Sequence, residues 1–508
     1  MGTRKVAKNT MILYVRMMVV MIINLYTVRV VLRALGMEDY GIYDVVAGVV
    51  TMLQSVSGVL SASSQRFMAY ALGENNIDEL KKIYTASLNI FLVFSLAVVL
   101  LGEPLGIYVI KNHLVIPSER HTAAVWVFHF SILTFITTLI SSTFSAETFA
   151  HEDIGVFAVI STAECFFKLV FALLISAAPF DKLIYYAGYL FAVSLISLVG
   201  YFWYCKMHYL ECKYNSFSDY KLYKRFLSFS GWIFMGSLAG IGINQGCAIL
   251  VNIFFGPVAN AARAIAFQVS NAMMSLTGGF TSALRPAMIK SYAAEEYREV
   301  DILFSFSNKF VCYILAIVCL PLILEMPTIL YFWLGEVSAE TIVFARLIVI
   351  YTFILALNNP ISFIVHATGN VKTYEIVVEG ILLLCVPITY LFYHFGLPSY
   401  TVFISMILTM SVAHIARVIC LKRVYGYFSY RDYIVGVILP ASIIIVLSSA
   451  FLFFLHNTLA ASFVRLLIIC VCSVTIVSVL VFAIGLNRNE RELCASYVRR
   501  INPLKKNK

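Results

Sequence analysis

Long apolar runs, separated by short polar connections, extend along the whole sequence. A helix that crosses a bilayer needs about 20 mostly apolar residues, and fourteen segments of the chain meet this requirement. Their approximate limits are 10–34, 40–70, 83–110, 122–147, 154–178, 183–205, 226–253, 259–285, 303–331, 341–367, 373–395, 398–421, 433–455 and 460–486. The pattern predicts an all-α integral membrane protein with about 14 transmembrane helices.

The composition agrees with this prediction and excludes other classes of protein. Of the 508 residues, 61% are hydrophobic and 13% are charged, and the mean hydropathy is +0.88. A soluble core cannot bury so much apolar surface, while disordered and nucleic-acid-binding chains carry far more charge. The eleven cysteines show no CxxC or Cys/His ligand spacing. We therefore expect no metal and no other cofactor.

Lysine and arginine residues are concentrated on one side of the predicted membrane. Twenty-three of them lie in the termini or in connections on the same side as the termini, and four lie in the opposite connections. Because positively charged loops stay in the cytoplasm, both termini are predicted to be cytoplasmic. The outer connections are short, the longest being Lys111–His121. They leave no room outside for a folded catalytic domain.

The two halves of the chain resemble each other weakly when shifted by 220 residues. Gly36 then falls on Gly256, and Asn24 falls on Asn244. This repeat predicts two pseudo-symmetric six-helix bundles in the same orientation, which is an arrangement found in transporters that bind substrate between their halves. The predicted segments are a first bundle (1–205), a cytoplasmic linker (206–225), a second bundle (226–423), two additional transmembrane helices (424–486) and a basic cytoplasmic tail (487–508).

Cations inside the spans indicate where a ligand binds. A cation at mid-bilayer costs about 2.5–3.5 kcal/mol on insertion scales, so it usually faces protein or a watery cavity. The first two helices of each half carry several arginines and only one acid, Asp44. If these helices face each other, they enclose a cationic cavity that suits an anionic ligand, and nearby amides can bind sugar or phosphate oxygens. The predicted cavity residues are Arg16, Asn24, Arg29, Arg66, Asn244, Asn252, Arg263, Asn271, Lys309 and Arg346.

Structural explanations stay open for some of these polar groups. Arg66 lies near a cytoplasmic helix end, where a long side chain can reach water. Lys168 follows Glu164 by four residues, which is the spacing of an ion pair within one helix. The amides can equally form hydrogen bonds between helices.

A motif at the start of the chain adds a family resemblance. The stretch Arg33–Tyr43, RALGMEDYGIY, followed by Ser64-Gln-Arg-Phe, resembles polysaccharide-export flippases, including those of O-antigen repeat units. These belong to the superfamily that also holds MATE multidrug exporters and lipid II flippases. The resemblance implies a MATE-like exporter fold, in which two six-helix bundles rock between inward-open and outward-open states around a central cavity.

The resemblance also implies a substrate and a location. An undecaprenyl-diphosphate-linked oligosaccharide would be flipped from the cytoplasmic to the periplasmic leaflet of a bacterial inner membrane. Coupling to Na⁺ or H⁺ is plausible for this family, and Asp44 and Glu379 are the first candidates to carry the ion. Membrane lipids and other polysaccharide-assembly proteins are the expected partners, and nucleic acid is not.

Two other functions compete with this interpretation. An exporter of drugs or other amphiphiles has the same fold and differs in the charge of its cavity. A membrane glycosyltransferase or polysaccharide polymerase needs carboxylates at the outer face, and Glu38–Asp39 is the one such pair in the outer loops. Turn formation before Tyr40-Gly41 explains that pair equally well.

Overall fold

The computed structural model describes residues 3–73, 76–151, 153–214, 219–335, 337–368, 372–487 and 491. These residues form helices joined by short connections. The α-helices are α1 (Thr3–Gly73), α2 (Ile77–Ala97), α3 (Glu103–Asn112), α4 (His121–Ala150), α5 (Ile154–Leu173), α6 (Lys182–His208), α7 (Tyr220–Ala293), α8 (Tyr297–Leu334), α9 (Ala339–Ala356), α10 (Asn358–Thr368), α11 (Lys372–Leu383), α12 (Cys385–His394), α13 (Thr401–Val424), α14 (Tyr430–Tyr433), α15 (Leu439–Thr458) and α16 (Phe463–Leu480).

Two very long helices, α1 and α7, each contain one non-helical glycine. Gly36 in α1 has φ 82° and ψ 173°, and Gly256 in α7 has φ 79° and ψ −174°. Both conformations are accessible essentially only to glycine, since a Cβ atom would clash with the backbone. The two glycines that the repeat aligned therefore break their helices with nearly the same dihedral angles, which supports the internal repeat.

Several predicted spans consist of two helical pieces. A π-helical turn, Val98–Gly102, joins α2 to α3, and another, Ile434–Ile438, joins α14 to α15. Pro321 and Pro327 flank a break at Glu325 inside α8, because proline removes a backbone donor and clashes with the preceding turn.

Among the described residues, twelve helical segments are long and apolar enough to cross a membrane. The chain is thus a multi-pass, all-α membrane protein. When α1 and α7 are each counted as two spans, the predicted fourteen passes are recovered.

Contacts divide the chain into two compact units. Unit 1 comprises Met1–Gln268 and Glu379–Thr409, and unit 2 comprises Val269–Val378 and Met410–Lys508. In unit 1, α4 packs against both α1 and α6, with buried Phe128, Phe135 and Leu139 at its centre. In unit 2, α8 packs against α9, α15 and α16.

The predicted division into two bundles, a linker, two extra helices and a tail follows the sequence repeat, not these units. It stays a prediction. Residues 215–218 of the predicted linker, and all of the predicted basic tail except Asn487 and Arg491, lie outside the described residues.

Candidate functional site

Unit 1 contains a polar cavity of about 610 Å³ between α1, α4, α5 and α6. Seven of its fourteen lining residues bear a hydroxyl group, and one lysine and one glutamate supply the charge. The hydroxyl-bearing residues are Tyr43, Ser57, Ser61, Thr134, Thr138, Ser142 and Ser194, and the other lining residues are Gly58, Ala62, Gln65, Phe149, Glu164, Lys168 and Leu190. Hydroxyl groups both donate and accept hydrogen bonds. The wall is therefore suited to a polyhydroxylated ligand.

The periodicity of α1 and α4 brings the hydroxyl groups together. Ser57 and Ser61 are four residues apart on α1, as are Thr138 and Ser142 on α4, so each pair occupies one helix face. Across the two helices, the Oγ atoms of Ser57 and Ser142 are 3.0 Å apart, and Ser61 donates to the backbone oxygen of Ser142 at 3.4 Å. None of these residues was among the predicted cavity residues. Their four-residue spacing was the signal that could have identified them.

A polar stripe on α5, formed by Glu164 and Lys168, supplies the charged residues of the cavity wall. Lys168 Nζ donates to Glu164 Oε1 at 2.7 Å, and Ser197 Oγ of α6 donates to Glu164 Oε2 at 3.0 Å. The predicted ion pair within α5 is therefore confirmed. Because the charges of Lys168 and Glu164 neutralise each other and no other charged residue lines the described cavity, the cavity has little net charge.

Two predicted cavity residues of α1 contact α5 next to this stripe. Arg16 Nε donates to Ser161 Oγ at 2.7 Å, and its guanidinium lies 4.6 Å from the centre of the Phe157 ring. The Cys165 thiol donates to Asn24 Oδ1 at 3.2 Å. These contacts attach the first part of α1 to α5. Neither Arg16 nor Asn24 lines the 610 Å³ cavity.

A second polar cluster joins α1 to α7 within unit 1. Arg263 Nη2 lies 3.6 Å from Asp44 Oδ2, and Asn260 Nδ2 donates to the same carboxylate oxygen at 3.0 Å. The Arg263 guanidinium also lies 4.8 Å from the centre of the Phe267 ring, and Arg263 is 6% exposed. Asp44, which is the one acid within the first two predicted spans of each half, is thus paired with the buried cation Arg263.

The same end of α1 and α7 contains close helix contacts. An atom added at the Cβ position of Gly41 would lie 1.8 Å from the backbone oxygen of Pro257, so only glycine fits there. Buried Asn252 holds the segment after α3, because its side chain accepts from the Val115 amide at 3.0 Å and donates to the Val115 oxygen at 3.4 Å. This end of unit 1 is tightly closed.

Comparison with protein families identifies the group to which the sequence belongs. Residues 6–292, more than half of the chain, match the model of the family described as "Polysaccharide biosynthesis protein". The chain belongs to this family. The predicted resemblance to polysaccharide-export flippases is therefore confirmed. No curated protein matches the sequence.

Solved structures of low sequence identity share the fold of this polysaccharide biosynthesis family member. Lipid II flippase MurJ in an inward closed conformation has a TM-score of 0.72 and 14% identity, over 92% of this chain and 98% of that one. An inward-facing multidrug resistance MATE family transporter of the MOP superfamily has a TM-score of 0.69 and 12% identity, over 80% and 96%. A MOP superfamily transporter from Pyrococcus furiosus, described as having reverse polarity of its binding pocket, has a TM-score of 0.60 and 14% identity, over 84% and 97%. The predicted MATE-like fold is confirmed.

The remaining predicted site residues of this family member are dispersed. Arg66 and Asn244 are exposed, and Arg29 and Glu379 are half-buried, all four within unit 1. Unit 2 holds exposed Asn271, buried Lys309 and half-buried Arg346, whose Nε donates to the Ile323 oxygen at 2.9 Å. The structure brings together Asp44 with Arg263, and it packs Arg16 and Asn24 of α1 against Ser161 and Cys165 of α5. A cavity role for these residues stays a prediction.

Asp39, one of the two candidate catalytic acids of the outer loops, has a structural role. Arg120 forms ion pairs with both Asp39 and Asp181, so it ties together three outer segments of unit 1. Asp39 is 5% exposed. A carboxylate that is buried and paired in this way is poorly placed to activate a sugar hydroxyl.

Proposed function

We propose that this protein flips an undecaprenyl-diphosphate-linked oligosaccharide from the cytoplasmic to the periplasmic leaflet of a bacterial inner membrane. Membership in the polysaccharide biosynthesis family supports a role in making a surface polysaccharide. The MATE- and MurJ-like fold supports transport by alternating access. The observation that carries the proposal is the hydroxyl-lined cavity of unit 1.

The cavity wall favours a sugar as the transported group. A sugar presents many hydroxyl groups that must keep hydrogen bonds when they leave water, since each unsatisfied polar group in an apolar medium costs several kcal/mol. Ser61, Thr138 and Ser142 donate to backbone carbonyls in this conformation, so their hydroxyl oxygens, which line one wall, are left to accept hydrogen bonds from a sugar. A neutral hydroxyl surface binds many different sugars weakly, which allows release on the opposite side.

The diphosphate of the substrate requires positive charge. We propose that Arg29 and Arg263 supply it during the transport cycle. Arginine suits this role because its planar fork binds phosphate oxygens with two hydrogen bonds. Arg263 is paired with Asp44 in the present conformation, so a phosphate group would have to compete with this carboxylate.

The contacts between α1 and α7 are suited to act as an outer gate. Gly41, Asp44, Asn260 and Arg263 close the end of unit 1 that the charge distribution places on the outer side. Opening toward the periplasm would break the Asp44–Arg263 pair. This pairing makes Asp44 more suitable as a gate residue than as a permanent ion site. Coupling to Na⁺ or H⁺ through Asp44 or Glu379 remains part of the proposal.

The charge of the described cavity weighs against export of cationic drugs. An isolated intramembrane carboxylate would attract a cation, but Glu164 is already bound by Lys168 and Ser197. No unpaired acid lines the cavity within the described residues.

The cellular test replaces Arg29 in the natural host. Arg29→Ala should abolish surface polysaccharide and cause lipid-linked repeat units to accumulate, while Arg29→Lys should keep part of the activity because it keeps the charge. Arg33→Ala is the matched control, since Arg33 is exposed on the same helix. Normal polysaccharide in the Arg29→Ala strain, with normal amounts of protein in the membrane, would contradict the proposed cationic contact.

A further inference from the structure

Three side chains of the types that bind metal ions, Glu147, His151 and Glu211, meet at the end of α4 on the predicted cytoplasmic side of unit 1. His151 Nε2 lies 2.5 Å from Glu211 Oε1 and 3.6 Å from Glu147 Oε1. Glu147 belongs to the last turn of α4, His151 follows that helix, and Glu211 follows α6. The cluster thus links two chain segments about 60 residues apart.

Glu147 is the unusual member of the cluster. The residue is 0% exposed, and neither of its carboxylate oxygens has a hydrogen-bond partner among the described residues. A buried carboxylate without a donor is strongly destabilising unless a positive charge compensates it. Glu211 is a second acid whose carboxylate lies within 4.8 Å of the same group of ligand atoms, so the cluster needs a proton or a cation between its acids.

The geometry is close to that of a metal site with three protein ligands. The ligand atoms of Glu147, His151 and Glu211 all lie within 4.8 Å of one another. In a tetrahedral zinc site, metal–ligand bonds of about 2.0–2.2 Å place two ligand atoms roughly 3.4 Å apart. His151 Nε2 lies 3.6 Å from Glu147 Oε1, close to that value, and forms a direct hydrogen bond of 2.5 Å with Glu211. A bound zinc ion would replace this hydrogen bond and separate the two groups by about 1 Å.

Neighbouring residues fix the imidazole and leave access from water. The His151 ring stacks on Tyr209 with 4.1 Å between ring centres and 7° between ring planes, and the Tyr209 hydroxyl donates to Asp153 at 2.5 Å. The His151 side chain is 25% exposed. The site is therefore partly open at His151, where a cation could enter.

We propose that Glu147, His151 and Glu211 bind a divalent transition-metal ion of the zinc class. One imidazole and two carboxylates suit zinc better than magnesium, which prefers an all-oxygen octahedron that keeps several waters. The ion would fasten the end of α4 to the start of the predicted cytoplasmic linker. This inference does not depend on the proposed transport function.

The test measures metal binding by the purified full-length protein in detergent. The protein is stripped with a chelator, mixed with Zn²⁺ alone and separated from free metal, and its metal content and melting temperature are then measured. Wild-type protein should hold about one tightly bound zinc per chain and melt at a higher temperature with zinc. Glu147→Gln, His151→Gln and Glu211→Gln should each weaken binding by about tenfold or more.

A second imidazole–carboxylate pair provides the matched control. His129 Nδ1 lies 2.6 Å from Glu103 Oε1, but no third ligand completes this pair among the described residues. His129→Gln should leave zinc binding unchanged. If Glu147→Gln does not fold, His151→Gln decides, because that position is partly exposed and tolerates the change better.

Three results would overturn the inference. Wild-type protein that binds no zinc would mean that protonated His151, whose pKa Glu147 and Glu211 raise to about 9, supplies the positive charge by itself. Equal zinc binding by wild type and His151→Gln would place the metal elsewhere. Displacement of zinc by an equal concentration of Mg²⁺ would exclude the zinc class.

Discussion

The pairing of Asp44 with Arg263 joins two residues that the sequence suggested for different purposes. Arg263 is buried, while the Asp44 side chain is 29% exposed and also accepts from Asn260. Removing one partner of such a pair leaves the other charge without compensation, which costs more than the intact pair contributes.

A double-mutant cycle should reveal this coupling. Asp44→Asn and Arg263→Gln are each expected to lower the free energy of unfolding by about 1–3 kcal/mol, the usual cost of an unsatisfied buried polar group. The double variant should lose less than the sum of the two single variants. Thermal unfolding of the purified protein measures the effect. Asp78→Asn, which removes the exposed Lys81 pair, should change stability by less than about 1 kcal/mol.

Additive single effects would show that Asp44 and Arg263 are not coupled in the folded protein. Both residues are recognisable in the sequence as unusual, because charges are rare in membrane spans. It could not predict that they pair, since they are more than 200 positions apart and only the packing of α1 on α7 brings them together. The hydroxyl cavity was missed for a similar reason. Single serines and threonines in apolar helices usually bond to their own backbone.

At the scale of elements, most helices could be predicted because an apolar run of sufficient length has few alternatives in a bilayer. The predicted boundary between the first two spans lay near Gly36, and the structure replaces the expected loop with one glycine at φ 82°. Hydropathy reports where a span must end. It does not indicate how many residues separate one span from the next.

Alanine substitutions test the two glycine breaks. Gly36→Ala and Gly256→Ala should each destabilise the protein by about 1–3 kcal/mol, because an alanine in this conformation is strained even though no neighbouring atom blocks its Cβ. Gly200→Ala is the control, since Gly200 lies within α6 with open space at its Cβ position and should tolerate alanine. Melting temperatures decide the comparison. Equal stability of all three variants would mean that the breaks carry no glycine requirement.

At the scale of the whole molecule, the charge distribution predicts which surface faces the cytoplasm. A cysteine placed at Lys111 should react with a membrane-impermeant maleimide added to intact cells, whereas one at Lys213 should react only after the membrane is opened. The background should lack Cys470 and Cys472, the two partly exposed thiols among the described residues, and also Cys494 of the predicted tail. Labelling of the Lys213 position in intact cells would invert the topology and place the Asp44–Arg263 gate on the wrong side.

Transport of a lipid-linked sugar is the central claim, and reconstitution into vesicles tests it most directly. An undecaprenyl-diphosphate-linked oligosaccharide is incorporated into both leaflets, and an external glycosidase removes the sugar that it can reach. With wild-type protein, digestion should continue past the outer-leaflet half toward completion. Ser61→Trp, which fills the cavity, should stop near one half, and Thr475→Trp on the exposed face of α16 should behave as wild type. Digestion that stops at one half with wild-type protein, or glycosyl transfer in place of flipping, would contradict the account.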